Sequence, residues 1–221
     1  MAVVDDHALV RSSISMFVNS LKGIEVSIEA CNGQDLLKKM KNFEADIVLL
    51  DIQMPVMDGY ETCEQLNILY PHTRILMMSQ LMSKESIHKS MEAGAHGYFS
   101  KDGDPKQLET ALNTLSERGF YFEPGLGSVI HDAILWNKDS MKQNELSHLS
   151  EKEIEIIQLA CKGYDNLGIA EALSINVRTV ESYRARILSK TDVKSFTNVI
   201  LMAIKYNYVD LDELLVIKTR S

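Results

Sequence analysis

The sequence predicts two units: an α/β unit whose five-stranded parallel sheet is doubly wound by helices, and a smaller all-α unit after it. Short apolar runs alternate with helical segments over about residues 1–122, which is typical of βα units around a parallel sheet. From Leu149 onward the pattern is helical and compact. The length of 221 residues is enough for two ordinary domains.

The five apolar runs are the predicted strands. They fall at Val3-Val4, Ile24 to Ile28, Ile47–Leu50, Ile75–Met78 and Tyr98-Phe99. Between them apolar residues recur with helical spacing, as from Val10 through Ile14 to Val18, so that each helix has one apolar face. Ligands of parallel sheets bind at the carboxyl ends of the strands. We therefore look for chemistry at those ends.

A stretch rich in glycine and polar residues separates the two units. Gly119, Pro124, Gly125 and Gly127 punctuate it. We expect a linker at 123–146, which contains Trp136, the only tryptophan. Two interpretations stay open: an interdomain element, or an extension packed on the first unit. The second unit is expected at 147–211 and a C-terminal tail at 212–221.

The second unit has the helix signals of a small bundle. Ser150 and Glu153 have the spacing of a capping box, and Gly163 is expected to end that helix. Asn166 is expected to cap a second helix and Asn176 a third. A final helix is expected from about Phe196 to Tyr206. Two short helices joined at Ser174-Ile175, the second with a basic stripe and its arginines outward, are typical of a helix-turn-helix.

Composition and charge exclude several classes of protein. The aliphatic runs are far shorter than the roughly 20 residues of a membrane span, and the N-terminus lacks the basic start of a secretory signal. Cys31, Cys63 and Cys161 are far apart and without a Cys-x-x-Cys pair, which argues against a disulfide framework or a cysteine zinc site. We expect a soluble cytoplasmic protein with no membrane partner. The net charge of −8 gives no hint of nucleic acid, but residues 178–194 are locally basic.

Acidic residues follow the first and third predicted strands. If the sheet is parallel, Asp5, Asp6 and Asp51 converge on one pocket, where they repel one another unless a cation neutralises them. An all-oxygen set suits Mg²⁺ and leaves room for a phosphate. A carboxylate can then act as a nucleophile toward phosphorus. Lys101 would supply positive charge to the phosphoryl group and Ser79 a hydroxyl donor.

Four motifs in order resemble the receiver domain of bacterial two-component response regulators, over about residues 1–122. They are VVDDH (3–7), LLDIQMPVMDG (49–59), the ILMMS run ending at Ser79, and GYFSKD (97–102). The resemblance implies a flavodoxin-like fold with Asp51 as the phosphoacceptor. It further implies that Asp5, Asp6, Asp51 and the main-chain carbonyl of Gln53 bind Mg²⁺. Ser79 and Tyr98 would form a switch pair, whose hydroxyl moves toward the phosphoryl group while the ring turns inward.

Several further features near these motifs carry expectations of their own. His7 is expected to be a surface residue rather than a ligand, because neutral histidine does not suit Mg²⁺. Pro55 and Asp58-Gly59 are expected to form the turn that starts the third helix. The first strand is expected to be shorter than receivers usually have. Leu81 lies two residues after Ser79, a position that in receivers influences dephosphorylation.

The second unit resembles the LuxR-type DNA-binding domain of the NarL/FixJ class. The stretch LSEKEIEIIQLACKGYDNLGIAEALSINVRTVESYRARILSKTDV (149–193) carries the resemblance, which implies that residues 176–190 lie in the major groove. Glu181, Ser182 and Ala185 match base-facing positions. Candidate phosphate contacts are Arg178, Thr179, Tyr183, Arg184, Arg186 and Lys190. Gly168 departs from the family pattern, and we expect it to loosen the second helix.

Together the resemblances predict a transcription regulator and not an enzyme. Its expected partners are a histidine kinase, double-stranded promoter DNA and, when phosphorylated, a second copy that pairs through the final helix. One alternative is a DNA-binding regulator independent of phosphorylation, with a receiver used only for dimerisation. A less favoured alternative is a phosphohydrolase of the haloacid-dehalogenase kind. That class needs a second Asp two residues after the nucleophile, where this chain has Gln53.

Overall fold

A computed structural model describes residues 1–80, 83–121, 148–206 and 208–209. The first unit contains β1 (Ala2–Val4), α1 (Ala8–Ser20), β2 (Ile28–Ala30), α2 (Gly33–Met40), β3 (Ile47–Asp51), α3 (Gly59–Leu69), β4 (Arg74–Ser79), α4 (Lys84–Glu92), β5 (Gly97–Ser100) and α5 (Pro105–Arg118). The second unit contains α6 (Glu151–Cys161), α7 (Asn166–Leu173), α8 (Val177–Thr191) and α9 (Phe196–Lys205). The expected linker with Trp136, the residue Leu81 and the tail at 212–221 lie outside the described residues.

The first unit is a five-stranded parallel sheet in the order β2-β1-β3-β4-β5. Successive residues of β3 face opposite sides: Leu50 belongs to one apolar cluster and Leu49 to the other. Because helices cover both faces, the central strand is buried throughout. The predicted doubly wound fold is confirmed, and the carboxyl ends of β1 and β3 lie side by side.

The second strand is shorter than predicted. It covers only Ile28–Ala30, whereas Ile24 and Val26 lie before it in irregular chain. The strand pairs only with β1, in a register that runs from Ala2 opposite Ile28. The N–H of Val26 donates instead to Asn19 Oδ1 at 2.8 Å. The apolar pattern correctly predicted that Ile24 and Val26 pack against the core. It did not predict where the strand begins, because a strand extends only as far as its neighbouring strand pairs with it.

Most of the predicted helix starts are confirmed. Ser150 and Glu153 form a capping box, and Asn176 accepts from the N–H of Thr179. The second helix of the smaller unit is capped by Asp165 and not, as predicted, by Asn166, because the Asp165 carboxylate accepts from the N–H of Gly168 at 2.7 Å. Both residue types cap well, so the local sequence did not separate them.

Helix α7 continues through Gly168 to Leu173. A methyl group at Gly168 would lie 2.9 Å from Cδ1 of Tyr164, so the glycine permits the close approach of that ring. In the described part of the chain, every helix is too short or too polar to cross a membrane.

Candidate functional site

Two strand ends bring the predicted carboxylates together. Asp5 follows β1 and is 1% exposed, and Asp51 is the last residue of β3 and is 5% exposed. Since parallel neighbours end at the same edge of the sheet, the two side chains face one pocket. The guanidinium of Arg11 donates to the main-chain oxygen of Asp5 at 2.6 Å and so holds the backbone of Asp5 in position.

Lys101 links these two carboxylates. Its Nζ lies 2.7 Å from Asp5 Oδ2 and 2.8 Å from Asp51 Oδ1. Burial by itself would lower the pKa of Lys101, but the hydrogen bonds and charges of both carboxylates outweigh it and raise the pKa. Burial raises the pKa of Asp51; Lys101 opposes that shift, and the charge of Asp5 adds to it. One buried cation therefore stabilises two buried anions.

Asp6 and His7 complete the acidic cluster on its solvent side. Asp6 is 28% exposed and His7 is 71% exposed. His7 Nδ1 lies 2.8 Å from Asp6 Oδ1, and its main-chain N–H donates to Asp5 Oδ1 at 2.8 Å. Ligand atoms of Asp5, Asp6, His7 and Asp51 lie within 4.8 Å of one another. Three converging carboxylates form the oxygen donor set that Mg²⁺ prefers, so the residues present fit that ion.

The loop after Asp51 is tightly folded. The N–H of Met57 donates to the main-chain oxygen of Pro55 at 2.9 Å, closing a γ-turn on Val56, whose φ is +75°. A β-branched residue rarely adopts this conformation, and such strain is often found beside functional sites. Asp58 caps α3, as the predicted turn requires. A methyl group at Gly59 would lie 2.2 Å from the main-chain oxygen of Asp51, so only glycine fits there.

A cavity of about 540 Å³ opens beside the cluster. Asp6 and the exposed Gln53 border it on the side of the strand ends. Tyr60, Glu85, Ser86 and Lys89 border it on the side of α3 and α4. The residues of α4 were not among the predicted site residues, since nothing in their local spacing shows which strand end they face.

The predicted switch pair lies inside the protein. Tyr98 is 1% exposed and Ser79 is 8% exposed. The Tyr98 side chain is hydrogen-bonded to Ser79 and to Ser86 of α4, and burial raises its pKa. Ser86 was missed by sequence analysis, and its hydroxyl also accepts from Ser83 Oγ at 2.9 Å. The tyrosine ring thus already occupies the inward position, where it connects β4, β5 and α4.

The second unit presents a largely exposed helix surface. The three predicted base-facing residues of α8, Glu181, Ser182 and Ala185, are all exposed. Arg178 and Arg186 are exposed as well, and the Arg186 guanidinium lies 5.2 Å from the centre of the Tyr183 ring. The Thr179 N–H and hydroxyl both donate to Asn176 Oδ1. This face of α8 is open to solvent along its length.

The side chains of two predicted phosphate contacts, Arg184 and Lys190, bind other residues of the same unit. The expectation that the arginines of α8 point outward is wrong for Arg184, whose guanidinium lies 3.9 Å over the Phe196 ring and donates to Asn166 Oδ1 at 2.7 Å. Burial, and then the charge of Arg74, lower its pKa to about 10. Position 184 follows buried Val180 by four residues, so it lies on the inward face. Lys190 Nζ lies 2.7 Å from Glu153 Oε2.

Comparison with known proteins gives the same two units. Residues 1–113 match the family described as the response regulator receiver domain, and residues 147–203 match bacterial regulatory proteins of the luxR family. The response regulator protein VraR of Staphylococcus aureus is 31% identical over 208 residues, covering 93% of this chain and 96% of VraR.

Solved structures of RcsB share the fold. RcsB of Salmonella typhimurium superposes with a TM-score of 0.55 at 19% identity, covering 90% of this chain and 94% of RcsB. A structure of two RcsB dimers bound to two parallel DNAs gives a TM-score of 0.54 at 20% identity, with 94% and 95% covered. The chain therefore belongs to the two-component response regulators that join a receiver domain to a LuxR-type DNA-binding domain.

Proposed function

We propose that this chain is a phosphorylation-controlled transcription regulator in which Asp51 accepts a phosphoryl group from a histidine kinase. Phosphorylation would control the pairing of two copies and their binding to promoter DNA. The observation that carries the proposal is the arrangement of Asp51, a buried carboxylate at a strand end, with Lys101 2.8 Å away and a cavity beside it.

The transfer exchanges one bond to phosphorus for another. A carboxylate oxygen of Asp51 forms the new phosphorus–oxygen bond while the phosphorus–nitrogen bond of the kinase phosphohistidine breaks. The electron pair of the broken bond returns to the imidazole nitrogen. Lys101 would balance the negative charge that the phosphoryl oxygens bring to the pocket. Ser79, at the end of the neighbouring strand β4, would donate its hydroxyl to one of those oxygens.

Asp5, Asp6 and Asp51, with the main-chain carbonyl of Gln53, would hold Mg²⁺. The bound ion would neutralise charge on the transferring phosphoryl group. The three carboxylates support this assignment, because they converge within 4.8 Å and offer only oxygen.

The DNA-binding domain would place α8 in the major groove. Glu181, Ser182 and Ala185 would face base edges, where a carboxylate can accept from cytosine N4. Arg178 and Arg186, both exposed, would contact phosphates and set affinity and register. RcsB is bound to DNA as dimers in its structure, and we propose the same assembly for this chain.

The functional parts would be a receiver at 1–122, a linker at 123–146, a DNA-binding domain at 147–211 and a tail at 212–221. We infer a cytoplasmic protein that regulates transcription and does not turn over an external substrate. Gln53 supports the last point, because it stands where an aspartyl-phosphate phosphohydrolase needs an acid.

Intact mass after incubation with acetyl phosphate and Mg²⁺ tests the proposal. We expect the wild type to gain one labile phosphoryl group, Asp51→Ala to gain none, and the control Asp102→Asn, an exposed carboxylate beside Lys101, to behave as the wild type. Phosphorylated wild type should then bind its promoter more tightly. A wild type that accepts no phosphoryl group from acetyl phosphate or a histidine kinase, yet regulates normally, would leave the phosphorylation-independent regulator as the answer.

A further inference from the structure

The imidazole of His7 lies over the solvent side of the acidic cluster. Its Nδ1 is 2.8 Å from Asp6 Oδ1 and 3.6 Å from Asp5 Oδ1. The main-chain N–H of His7 donates to Asp5 Oδ1 at 2.8 Å, which holds the backbone of residue 7 beside the cluster. One ring nitrogen and two carboxylate oxygens from consecutive residues therefore lie together. We call these three atoms the outer triad (Asp5 Oδ1, Asp6 Oδ1 and His7 Nδ1).

The start of the first helix does not explain this imidazole. His7 is the N-cap residue of α1, but its side chain makes no capping hydrogen bond. Serine, threonine, aspartate and asparagine are the residues that cap well, because their side chains accept from the first turn. The His7 side chain is also 71% exposed, so it adds little to the packing of the core. What it faces is the pair of carboxylates before it.

One oxygen of the outer triad has no hydrogen-bond partner. Asp6 Oδ1 is buried and accepts no hydrogen bond from any described residue, although His7 Nδ1 is only 2.8 Å away. Two ligands of one metal ion have this relationship. Each lies about 2.1 Å from the ion, so that they are about 3 to 3.5 Å apart and point at the ion instead of at each other. The outer triad has the spacing of three ligands of one ion.

Lys101 divides the cluster into an inner and an outer side. Its Nζ binds Asp5 Oδ2 and Asp51 Oδ1, both on the inner side. The other oxygen of Asp5 belongs to the outer triad, where it faces His7. The inner oxygens thus already have a cation, and the outer triad faces the side from which an ion in solution would arrive.

The donor atoms of the cluster suit two kinds of ion in different ways. Mg²⁺ prefers oxygen donors, so it would use the carboxylates and leave the imidazole aside. Transition-metal ions such as Zn²⁺ bind imidazole nitrogen and carboxylate oxygen at almost the same distance, about 2.1 Å. The same three residues therefore offer an all-oxygen set to Mg²⁺ and a mixed set of nitrogen and oxygen to a transition metal.

We propose that His7 is a metal ligand at this site for divalent transition-metal ions such as Zn²⁺, and that it makes the site bind them more tightly than Mg²⁺. Zn²⁺ would be held by the outer triad, whereas Mg²⁺ would be held without His7. The inference rests on the proposed metal-binding function of the carboxylates and specifies which ions compete with Mg²⁺ for them.

Calorimetric titration of the full chain with zinc chloride and with magnesium chloride at neutral pH tests the proposal. A Cys31→Ser background removes the exposed thiol as a competing zinc ligand. His7→Gln keeps a polar side chain without the imidazole, and we expect it to weaken Zn²⁺ binding about ten-fold or more and to leave Mg²⁺ binding unchanged. His88→Gln is the matched control, because His88 Nε2 lies 3.2 Å from a single carboxylate, that of Glu92. It should keep the tight Zn²⁺ site.

Ring-nitrogen chemical shifts measured by NMR identify the ligand directly. We expect the signal of His7 Nδ1 to move when Zn²⁺ is added and to stay in place when Mg²⁺ is added. Equal Zn²⁺ affinities of the wild type and His7→Gln would overturn the inference, and so would a His7 signal that Zn²⁺ leaves unchanged or an equal loss of both ions in the variant. A wild type that binds Zn²⁺ through His7 but binds no Mg²⁺ would support the inference and count against the proposed magnesium site.

Discussion

The pocket at the ends of β1 and β3 and the exposed face of helix α8 place their charges in opposite ways. In the pocket, Asp5 and Asp51 are 1% and 5% exposed and share one cation, Lys101. On α8, Arg178, Glu181 and Arg186 stand in solvent. A buried charge must be paired to be tolerated, whereas an exposed charge is free to meet a partner from outside.

The difference teaches where function and stability are coupled. We expect a substitution in the pocket to alter both the proposed chemistry and the free energy of unfolding, because the same charged groups would serve the reaction and stabilise one another. We expect a substitution on the exposed face of α8 to alter binding and to leave the free energy of unfolding unchanged. Lys190 is the intermediate case, since it belongs to the helix but pairs with buried Glu153.

The largest effect is expected from Lys101→Met. The variant leaves two buried carboxylates without their cation, and we expect the free energy of unfolding of the receiver to fall by about 3 kcal/mol. Urea denaturation without Mg²⁺ measures the loss, and added Mg²⁺ should return part of it. Lys106→Met, at an exposed position of α5, is the control. Equal effects of the two substitutions would contradict the shared-cation interpretation.

Lys190→Met should destabilise the DNA-binding domain by about 1.5 kcal/mol at neutral pH, the scale of a hydrogen bond to a charged group. Burial would raise the pKa of Glu153, but Lys190 and the Ser150 hydrogen bonds outweigh it and lower the pKa. The stabilisation is therefore present above the ordinary pKa of a glutamate and is lost as the pH falls through the lowered value.

Hydrogen exchange of α6 and α8 as a function of pH measures this effect. The difference between wild type and Lys190→Met should be full at neutral pH and should close on acidification. Lys152→Met, which removes a surface lysine of α6 paired with Glu155, is the matched control. A pH-independent difference would show that Lys190 does not act through the Glu153 carboxylate.

Arg178→Ala should leave stability unchanged within about 0.5 kcal/mol, because the side chain is exposed. DNA affinity should fall about five- to ten-fold, and the slope of log affinity against log salt should decrease by about one. Fluorescence anisotropy over a range of salt concentrations measures both quantities. Lys162→Ala, an exposed cation outside α8, should change neither. An unfolding defect in Arg178→Ala would remove the contrast between the two regions.

The smallest effect is expected from Gly168→Ala. Alanine gains about 1 kcal/mol of helix propensity over glycine, but its methyl group would lie 2.9 Å from the Tyr164 ring, and the two effects should nearly cancel. Ala172→Gly, at an exposed position of the same helix, has no such compensation and should cost about 1 kcal/mol. Thermal unfolding compares them. A clear gain from Gly168→Ala would mean that Tyr164 moves aside freely.

Local patterns in the sequence determined the architecture of this protein. Short apolar runs and helical spacing identified the strands and the helices, and the acidic residues after the first and third strands located the pocket. The convergence of Asp5, Asp6 and Asp51 needed only the rule that parallel strands end at one edge. The second strand is shorter than its apolar pattern because alternation reports burial, while pairing depends on the length of the neighbouring strand.

Which distant polar and charged side chains bind one another was decided only by the tertiary structure. Lys101 reaches Asp5 across 96 residues of sequence, Lys190 reaches Glu153 across 37 and Asn198 reaches α4 across 107. No local spacing reports such distances, because they follow from how whole helices pack. Arg184 differs, since its four-residue spacing from Val180 is by itself enough to place it on the inward face. The sequence by itself determined which residues are candidates for the chemistry, and packing decided which of them are buried, which are paired and which remain exposed to solvent.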